Sequence, residues 1–276
     1  MAMKLIVESG STKSRWVLLN NGVIENEQLL PGINPTSNPT SISNIAQYQV
    51  QQDKPIKQVY FYGAGVSSKD AKEQLMVALV NKLGRVEIEL LHDILAAARS
   101  MSNERSSVTS ILGTGTNTVV FDGEKVVDSR KALGYLMGDF GSGYHIGKIL
   151  IWKYFNFLMT EDDSVKFKSA YIEDGKDFIF GLYNSDKPNF EVASLSRFLE
   201  KCTADLRAEV LQEAFQSFVD HQIVPLNISS EIPLHFVGSI SGVFAKELLS
   251  VITKNGLTMG DVSGDPMPGL IRYHTQ

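Results

Sequence analysis

The sequence predicts an α/β protein built from two related units. The first observation behind this prediction is a run of three strands joined by two tight turns at the beginning of the chain. The second is a similar run about 100 residues later. The third is that each run is followed by strand and helix patterns. With 276 residues, 43% of them hydrophobic, the chain is long enough to bury a core in one or two domains.

The first unit begins with an apolar strand over Lys4–Glu8, which leads into a turn of small residues, Ser9–Lys13 (SGSTK). A second strand is expected over Arg15–Leu19. The next residues, Asn20–Gly22, contain an Asn-Gly pair, which predicts a hairpin turn of the primed type. A third strand then runs from Val23 to about residue 30.

The second unit has the same order of elements. Its strands are expected at Val108–Leu112, Thr118–Phe121 and Glu124–Asp128. A small-residue turn, Gly113–Asn117 (GTGTN), separates the first two strands, and Asp122-Gly123 forms the tight turn before the third. Such hairpins are common individually. Two of them, each preceded by a Gly/Ser/Thr-rich turn, favour a duplicated fold.

The remaining sequence alternates between strand and helix patterns. Further strands are expected at Gln58–Tyr62, Val86–Leu91 and Pro233–Val237. Helices are expected at Asp70–Leu83, 94–102, Tyr144–Met159, most of 162–222 and from Gly238 to about Asn255, with a short one near 41–49 and a last helical turn around Gly269–Ile271 in a turn-rich tail. The polar run at 100–107 predicts a domain break, giving domains 1–105 and 106–276, with the extreme C-terminal helix free to pack back on the first domain.

Composition narrows the class of function. A net charge of −5 argues against a general nucleic-acid binder, which needs a basic face, but leaves room for a nucleotide. Cys202 is the only cysteine, which excludes an internal disulfide and a Cys-rich metal site. No stretch of about 18 apolar residues predicts a membrane span. The opening MAMKLIVESG lacks the basic and long apolar regions of a signal peptide, so a cytoplasmic protein is expected.

Both small-residue turns follow a strand, where backbone N–H groups and hydroxyls can bind phosphate oxygens. Lys13 adds a positive charge to the first turn, and Glu8 precedes that turn with a carboxylate suited to Mg²⁺. The alternative for the first turn is an ordinary hairpin with a solvated lysine. Neither a Walker A loop nor a Rossmann motif is present.

Five motifs, in the order VESGSTKSRW, LLHDILAAARS, ILGTGTN, GYLMGDFGSG and FVGSISG, resemble the sugar-kinase branch of the actin/hexokinase/Hsp70 ATPase superfamily. The closest resemblance is to the BadF/BadG/BcrA/BcrD-type ATPase family, which includes N-acetylglucosamine kinase, and it covers nearly the whole chain. It implies a duplicated actin-like (ribonuclease H-like) two-domain fold with a nucleotide cleft between the domains. It also implies ATP and Mg²⁺ as cofactors, a small-molecule sugar as partner, and a homodimer.

The implied reaction is ATP-dependent phosphorylation of an amino sugar, foremost N-acetylglucosamine to its 6-phosphate. The alternatives are another kinase of the superfamily, acting on glucosamine, muramic acid or pantothenate, and a nucleotide-binding sensor without catalysis. A dehydratase activator of the same family needs two cluster-binding cysteines per chain, and this chain has one.

The resemblance assigns roles to individual residues. The nucleotide-binding residues it implies are Ser11, Thr12 and Lys13 in the first turn, Gly113, Thr114, Gly115 and Thr116 in the second, and Gly238 and Ser239 in a late turn that meets adenosine. The substrate-binding residues it implies are Asn34, Asp93, Leu133, Gly134 and Asp139, with Glu8 as the metal ligand.

Asp93 is the implied catalytic residue. It follows a strand, where α/β folds place ligand-binding groups, and an aspartate there can accept the proton of a sugar hydroxyl. Because it also precedes an apolar helical run, it is equally a candidate N-cap. The corresponding alternative for Asp139 is a helix cap in a Gly-rich turn, and for Asn34 a turn former.

The chain departs from the family pattern at several positions. Glu8 stands where the family has Asp, and SGST replaces GGGT. Leu133 stands where N-acetylglucosamine kinase has a sugar-contacting Trp, and Phe140 replaces the Glu of GDEGS. These changes bear on which sugar is accepted and on whether catalysis is retained.

Overall fold

The computed structural model describes residues 3–50, 55–66, 68–101, 106–172 and 177–275. The chain divides into unit 1, Met1–Asn103 with Pro266–Gln276, and unit 2, Glu104–Asp265. The polar run that predicts a domain break includes residues 102–105, which lie outside the described residues.

Each unit contains one five-stranded sheet. The strands of unit 1 are β1 Met3–Ser9, β2 Lys13–Asn20, β3 Val23–Pro31, β4 Ile56–Gly63 and β5 Glu87–His92. The strands of unit 2 are β6 Ser107–Leu112, β7 Thr116–Phe121, β8 Val126–Ser129, β9 Leu234–Val237 and β10 Met259–Ser263.

The two sheets have the same topology. Their strand orders are β3-β2-β1-β4-β5 and β8-β7-β6-β9-β10, each with an antiparallel meander followed by two strands parallel to the first. In the first hairpin Asn21 and Gly22 both have positive φ, 50° and 82°, as a primed turn requires. The predicted duplicated α/β fold is therefore confirmed.

Helices connect and cover the sheets. They are α1 Lys69–Leu83, α2 Asp93–Met101, α3 Gly134–Met137, α4 Gly143–Phe155, α5 Glu161–Tyr171, α6 Phe178–Tyr183, α7 Pro188–Ser194, α8 Ala204–Phe218, α9 Ser239–Val243, α10 Ala245–Lys254 and α11 Met267–Thr275. Shorter 3₁₀ segments lie at Pro39–Gln47, Leu195–Glu200 and Val224–Leu226, and a π-helical turn at Val219–Ile223. Across the part of the chain that the structure describes, no helix is both long enough and apolar enough to cross a bilayer.

Unit 1 buries both faces of its sheet. Side chains of a strand alternate between the two faces, and helices pack on each face. On one face Leu5 and Val7 of β1 pack with Leu75 and Leu79 of α1. On the other face Ile6 belongs to a second cluster, to which α2 and α11 contribute. The core of unit 2 lies on one sheet face and is built with α4, α8 and α10.

Helix α11 is fastened to unit 1 by a buried polar network. The Tyr62 hydroxyl lies 2.7 Å from His274 Nε2 and accepts a hydrogen bond from Arg99 Nη1 at 2.8 Å. Lys4 Nζ donates to the His274 carbonyl at 2.8 Å. A Cβ added to Gly269 would lie 2.1 Å from the Ser100 carbonyl oxygen, so glycine permits the close approach of α11 to α2.

Strand register brings the ends of the parallel strands of each unit together. Ser9, Gly63 and His92 form one row at the carboxyl end of the unit 1 sheet. In unit 2 the corresponding rows pair Ile111 with Val237 and Val237 with Ser263. The turns that follow these rows are therefore grouped at one edge of each sheet.

Several sequence expectations need correction. The predicted helix near 41–49 is a 3₁₀ helix, and the one predicted from Tyr144 to Met159 ends at Phe155, since Phe157 has a φ of 58°. The single helix expected after Gly238 is divided at Phe244 into α9 and α10. The expectation of a turn-rich tail is wrong, because the tail holds β10 and the nine-residue α11.

Candidate active site

The first turn lies at the carboxyl edge of the unit 1 sheet, between β1 and β2. It closes through a hydrogen bond from Gly10 N to the Lys13 carbonyl at 3.0 Å, and Ser11, Thr12 and Lys13 are exposed. Gly32 N donates to the Thr12 carbonyl at 3.0 Å, and a Cβ on Gly32 would lie 2.4 Å from the Gly10 carbonyl oxygen. The chain after β3 is thus seated against the turn and holds its shape.

Asn34 completes this support. Its Nδ2 donates to Ser11 Oγ at 2.7 Å, and its Oδ1 accepts from Ser37 N at 3.2 Å. Beneath it the buried Ser9 Oγ accepts from Ile33 N at 2.8 Å. The side chain expected to bind sugar therefore binds the first turn in this structure.

Asp93 is the first residue of α2, directly after β5 at the same edge of the sheet. Its Oδ1 accepts a hydrogen bond from Ile94 N at 2.8 Å, which is not the bond to the second or third helical N–H that an N-cap makes. Burial raises the pKa of the Asp93 carboxyl, against the opposing effects of the Ile94 hydrogen bond and His92.

Glu8 lies one residue before the end of β1 and is partly buried, next in register to Tyr62 of β4. Mg²⁺ is bound through one or two carboxylates together with waters and substrate phosphates. A single carboxylate beside an exposed small-residue turn fits this donor set. In the described ranges, no group of three or more His, Cys, Asp or Glu side chains is arranged around a metal position.

The second turn lies between β6 and β7 of unit 2 and is fixed to the start of α4. Gly113 N donates to the Gly115 carbonyl at 3.1 Å within the turn. Gly143 N and Tyr144 N donate to the carbonyls of Gly113 and Thr114 at 2.8 and 3.2 Å. These bonds hold the turn rigidly before any ligand binds.

Asp139 is bound to the same turn. Its Oδ1 accepts from Thr116 N at 3.1 Å, and Thr116 Oγ1 donates to the Phe140 carbonyl at 2.8 Å. Asp139 has a φ of 57°, a conformation that this side chain adopts at a local cost. A Cβ on Gly115 would lie 2.7 Å from Asp139 Oδ2, so a larger residue there would displace the carboxylate. Burial raises the pKa of the Asp139 carboxyl, and the Thr116 hydrogen bond partly opposes this.

The late glycine turn follows β9. Gly238 has a φ of 129°, and a Cβ on it would lie 2.4 Å from the Leu112 carbonyl oxygen. Its N–H donates to the Ser263 carbonyl at 2.9 Å, and Ser239 begins α9. Only glycine allows this turn to lie against the end of β6.

A pocket of about 220 Å³ in unit 2 joins two of the predicted motifs. Its lining residues are Gly113, Thr114, Gly143, Phe190, Ala193, Ser194, Ser196, Arg197, Glu200, Ser239, Ile240, Val243 and Phe244. Gly113 and Thr114 come from the second turn, and Ser239 from the late turn. Sequence reasoning missed the part that α7 and the following 3₁₀ helix contribute, because an irregular helical stretch carries no motif.

Leu133 and Gly134 lie outside this pocket, at the start of α3. Gly134 has a φ of 70°, and the Leu133 side chain is 55% exposed. Both belong to the loop that leads to Asp139. The predicted substrate residues Leu133, Gly134 and Asp139 thus all lie in the segment from 133 to 139.

Comparison with known structures identifies proteins that share this fold. A candidate N-acetylglucosamine kinase from Porphyromonas gingivalis is similar over 100% of this chain and 99% of its own, with 33% identity and a TM-score of 0.89. A second, from Chromobacterium violaceum, is 14% identical with a TM-score of 0.79, over 100% of this chain and 99% of its own. A ROK family glucokinase from Streptomyces griseus, in complex with glucose and AMPPNP, is 11% identical with a TM-score of 0.62, over 99% and 98% of the two chains. The last two show the fold alone.

The chain belongs to the BadF/BadG-type ATPase family, which includes sugar kinases. The actin-like fold implied by the five motifs is confirmed. No protein-family model matches the sequence, and no curated protein sequence does.

In this BadF/BadG-type protein, Phe140 stands where the family has a glutamate, and its side chain packs against two histidine rings. Its ring stacks on His221, with centroids 4.0 Å apart and planes at 14°, and meets His145 edge-on at 5.6 Å. Burial, with smaller effects of Lys148 and His221, lowers the pKa of His145 to about 4. The neutral ring accepts a hydrogen bond from Gly141 N at Nδ1, 3.1 Å away. Phe140 thus anchors the loop that carries Asp139.

Proposed function

We propose that this chain transfers the γ-phosphoryl group of ATP to an amino sugar, and that the product is N-acetylglucosamine 6-phosphate. One observation carries the proposal. The second turn and the late glycine turn line one pocket, and a carboxylate with raised pKa, that of Asp139, is hydrogen-bonded to the same second turn.

Nucleotide binding is assigned to this pocket of unit 2, and the small-residue turn of each unit is a candidate for binding phosphate oxygens. Backbone N–H groups near Gly113 and Gly10 offer hydrogen bonds to phosphate oxygens without a bulky side chain in the way. Among the described residues that line the pocket, Arg197 is the only Lys or Arg. Its guanidinium suits a phosphate or the π-face of a base.

Asp93 is the proposed general base or orienting acceptor for the sugar hydroxyl. Its raised pKa makes the carboxylate a better proton acceptor than an exposed aspartate. The hydrogen bond from Ile94 N to Oδ1 fixes the orientation of the carboxylate. Phosphoryl transfer depends chiefly on such positioning and on stabilisation of charge.

Glu8 is the proposed protein ligand for Mg²⁺, directly or through water. Bound Mg²⁺ would neutralise charge that develops on the phosphate oxygens. The homodimer that the resemblance implies and the cytoplasmic location expected from the sequence stay predictions. Gel filtration with light scattering tests the first of them.

The deciding experiment is an assay of ADP release with ATP, Mg²⁺ and a panel of N-acetylglucosamine, glucosamine, glucose, muramic acid and pantothenate. The proposal expects turnover to be fastest with N-acetylglucosamine, with the 6-phosphate identified by NMR. Turnover with another acceptor would reassign the substrate. ATP binding without turnover on any acceptor would instead support a nucleotide-binding sensor.

A further inference from the structure

The loop that carries Asp139 holds two residues in the left-handed backbone region. Asp139 has a φ of 57° and Gly141 a φ of 77°. An aspartate adopts this conformation at a cost, and such conformations persist only where the surrounding contacts fix them. The loop therefore depends on neighbouring elements to keep its shape.

The second turn and α4 hold the backbone of this loop. Thr116 Oγ1 donates to the Phe140 carbonyl at 2.8 Å. Gly141 N donates to His145 Nδ1 at 3.1 Å. Both are bonds to the loop backbone, so the orientation of the Phe140 side chain depends on what its ring contacts.

The end of α8 supplies two side chains to the same loop. Phe218 is fully buried and packs on Gly141, where an added Cβ would lie 2.6 Å from the Phe218 Cβ. Three residues later, the His221 ring lies nearly parallel to the Phe140 ring, with centroids 4.0 Å apart and planes at 14°. Two consecutive loop residues thus contact one short segment of the chain.

His221 is held in place by the π-helical turn Val219–Ile223. Its Nδ1 lies 2.8 Å from the Ser217 carbonyl oxygen, and because a carbonyl only accepts, Nδ1 donates this hydrogen bond. Val219 and Ile223 are buried in the core of unit 2, which anchors the turn. The exposed His221 ring is therefore fixed at both its backbone and its side chain. π-Helical turns are rare and frequently occur at functional sites.

We propose that His221 is a positioning residue for Asp139: its ring holds Phe140, and Phe140 keeps the adjoining Asp139 carboxylate on Thr116 N. This inference rests on the proposed function, which gives Asp139 its part in acceptor binding. The family pattern has glutamate in place of Phe140, and glutamate has no ring to stack on an imidazole. The ring pair therefore follows from a departure of this chain from that pattern.

Loss of the ring pair should affect the acceptor and spare the nucleotide. The second turn is also bonded to Gly143 N and Tyr144 N, so it keeps its shape when the Asp139 loop loosens. An aromatic pair changes an equilibrium about two- to tenfold. His221→Leu should therefore raise the KM for the acceptor about two- to tenfold, with the KM for ATP changed less than about twofold. His221→Phe keeps a planar ring and should stay close to the wild type.

Steady-state kinetics of the wild type, His221→Leu, Phe140→Leu and the double variant test whether His221 acts through Phe140. If it does, His221→Leu has no further effect once position 140 is leucine. Phe178→Leu is the matched control, since it removes a ring that stacks on Phe155 of α4, and it should leave the acceptor KM unchanged. Independent, multiplying losses in the double variant overturn the proposal. An unchanged acceptor KM in folded His221→Leu also overturns it.

A second measurement follows Asp139 without catalysis. Thr116 N donates to Asp139 Oδ1, so the chemical shift of the Thr116 amide proton reports this contact, and Asp139→Ala gives the shift without it. In His221→Leu and in Phe140→Leu, the Thr116 resonance should move towards its position in Asp139→Ala, whereas in His221→Phe it should stay. Because His221 is exposed, its variants are expected to fold, and melting temperatures on the same samples verify this.

The two measurements distinguish this proposal from the proposed function. A Thr116 resonance at its wild-type position in folded His221→Leu overturns the positioning role and leaves the kinase proposal intact. A wild type that phosphorylates no sugar, with the Thr116 resonance moved as expected in His221→Leu, refutes the kinase proposal but supports the contact through which His221 holds Asp139.

Discussion

Acid should destabilise unit 1 through His274, and His274→Gln should remove that sensitivity. Burial, with smaller effects of Arg99 and Lys4, lowers the pKa of His274 from 6.5 to about 3. Since Arg99 is only a donor, the Tyr62 hydroxyl accepts from it and keeps its own hydrogen for His274 Nε2. Protonation at Nε2 removes this acceptor and places a second positive charge beside the guanidinium.

The sign and size of the effect follow from linkage. The folded pKa lies below the unfolded one, so the unfolded state binds more protons and stability falls as the pH drops from about 6.5 towards 3. Between pH 7 and pH 5, this shift alone removes about 2 kcal/mol from the free energy of unfolding. For domains of this size, that corresponds to a fall of about 4–8 °C in melting temperature.

The assay is calorimetry of the wild type and the variant at pH 7 and pH 5. Glutamine keeps a hydrogen bond to the Tyr62 hydroxyl but does not titrate, so the fall in melting temperature should be smaller in His274→Gln by about 4–8 °C. His92→Gln, at an exposed histidine of the same unit, is the control and should follow the wild type. Equal acid sensitivity in His274→Gln and wild type would show that this network does not control the response.

Three further predictions concern the proposed reaction. Asp93→Asn should lower kcat about 10²-fold or more, with ATP affinity and melting temperature retained. In the wild type, kcat should fall at acid pH with a pKa above that of an ordinary aspartate. Full kcat in the variant would remove Asp93 from the mechanism. Glu8→Gln should lower kcat and raise the Mg²⁺ concentration needed for half-maximal activity, whereas Glu8→Asp should stay active. A Mg²⁺ titration of Glu8→Gln identical to that of the wild type would place the metal elsewhere. Gly115→Val should weaken ATP binding at least tenfold, since its side chain would meet Asp139 Oδ2, and wild-type affinity in the folded variant would show that the second turn does not bind phosphates.

Local chemistry explains which parts of the fold were predictable. The Asn21-Gly22 turn requires positive φ at both residues, so the residue types themselves indicate the hairpin. The small-residue turns after β1 and β6 were recognisable for the same reason. The full length of α11 is the opposite case, because the sequence predicts only a helical turn around Gly269–Ile271. Gly269 suggests a turn by composition, but in the structure it allows the helix to contact Ser100, a partner 169 residues away in sequence.

The candidate site likewise has parts that the sequence predicts and parts that only the structure shows. The position of Asp93 at a strand end followed from the sequence, but only the structure shows that its carboxylate bonds to Ile94 N rather than capping the helix. Arg197 and Glu200 line the pocket of unit 2 from a 3₁₀ helix, and the apolar pattern of that helix predicts only its buried side chains. Asn34 was expected to bind a ligand, and its contact with Ser11 depends on a fold-back that no local pattern encodes.

The recruitment of α11 to unit 1 also has a consequence for protein synthesis. The first 103 residues leave the ribosome without Met267 and Leu270, the buried side chains with which α11 covers Ile6, Tyr62 and Ala96. Translation of residues 104–265 takes about 10–30 s at the usual speed of about 5–20 residues per second, and unit 2 is contiguous and can fold during that interval. Unit 1 is therefore expected to mature last, with an apolar face open to chaperones until its final helix has been translated.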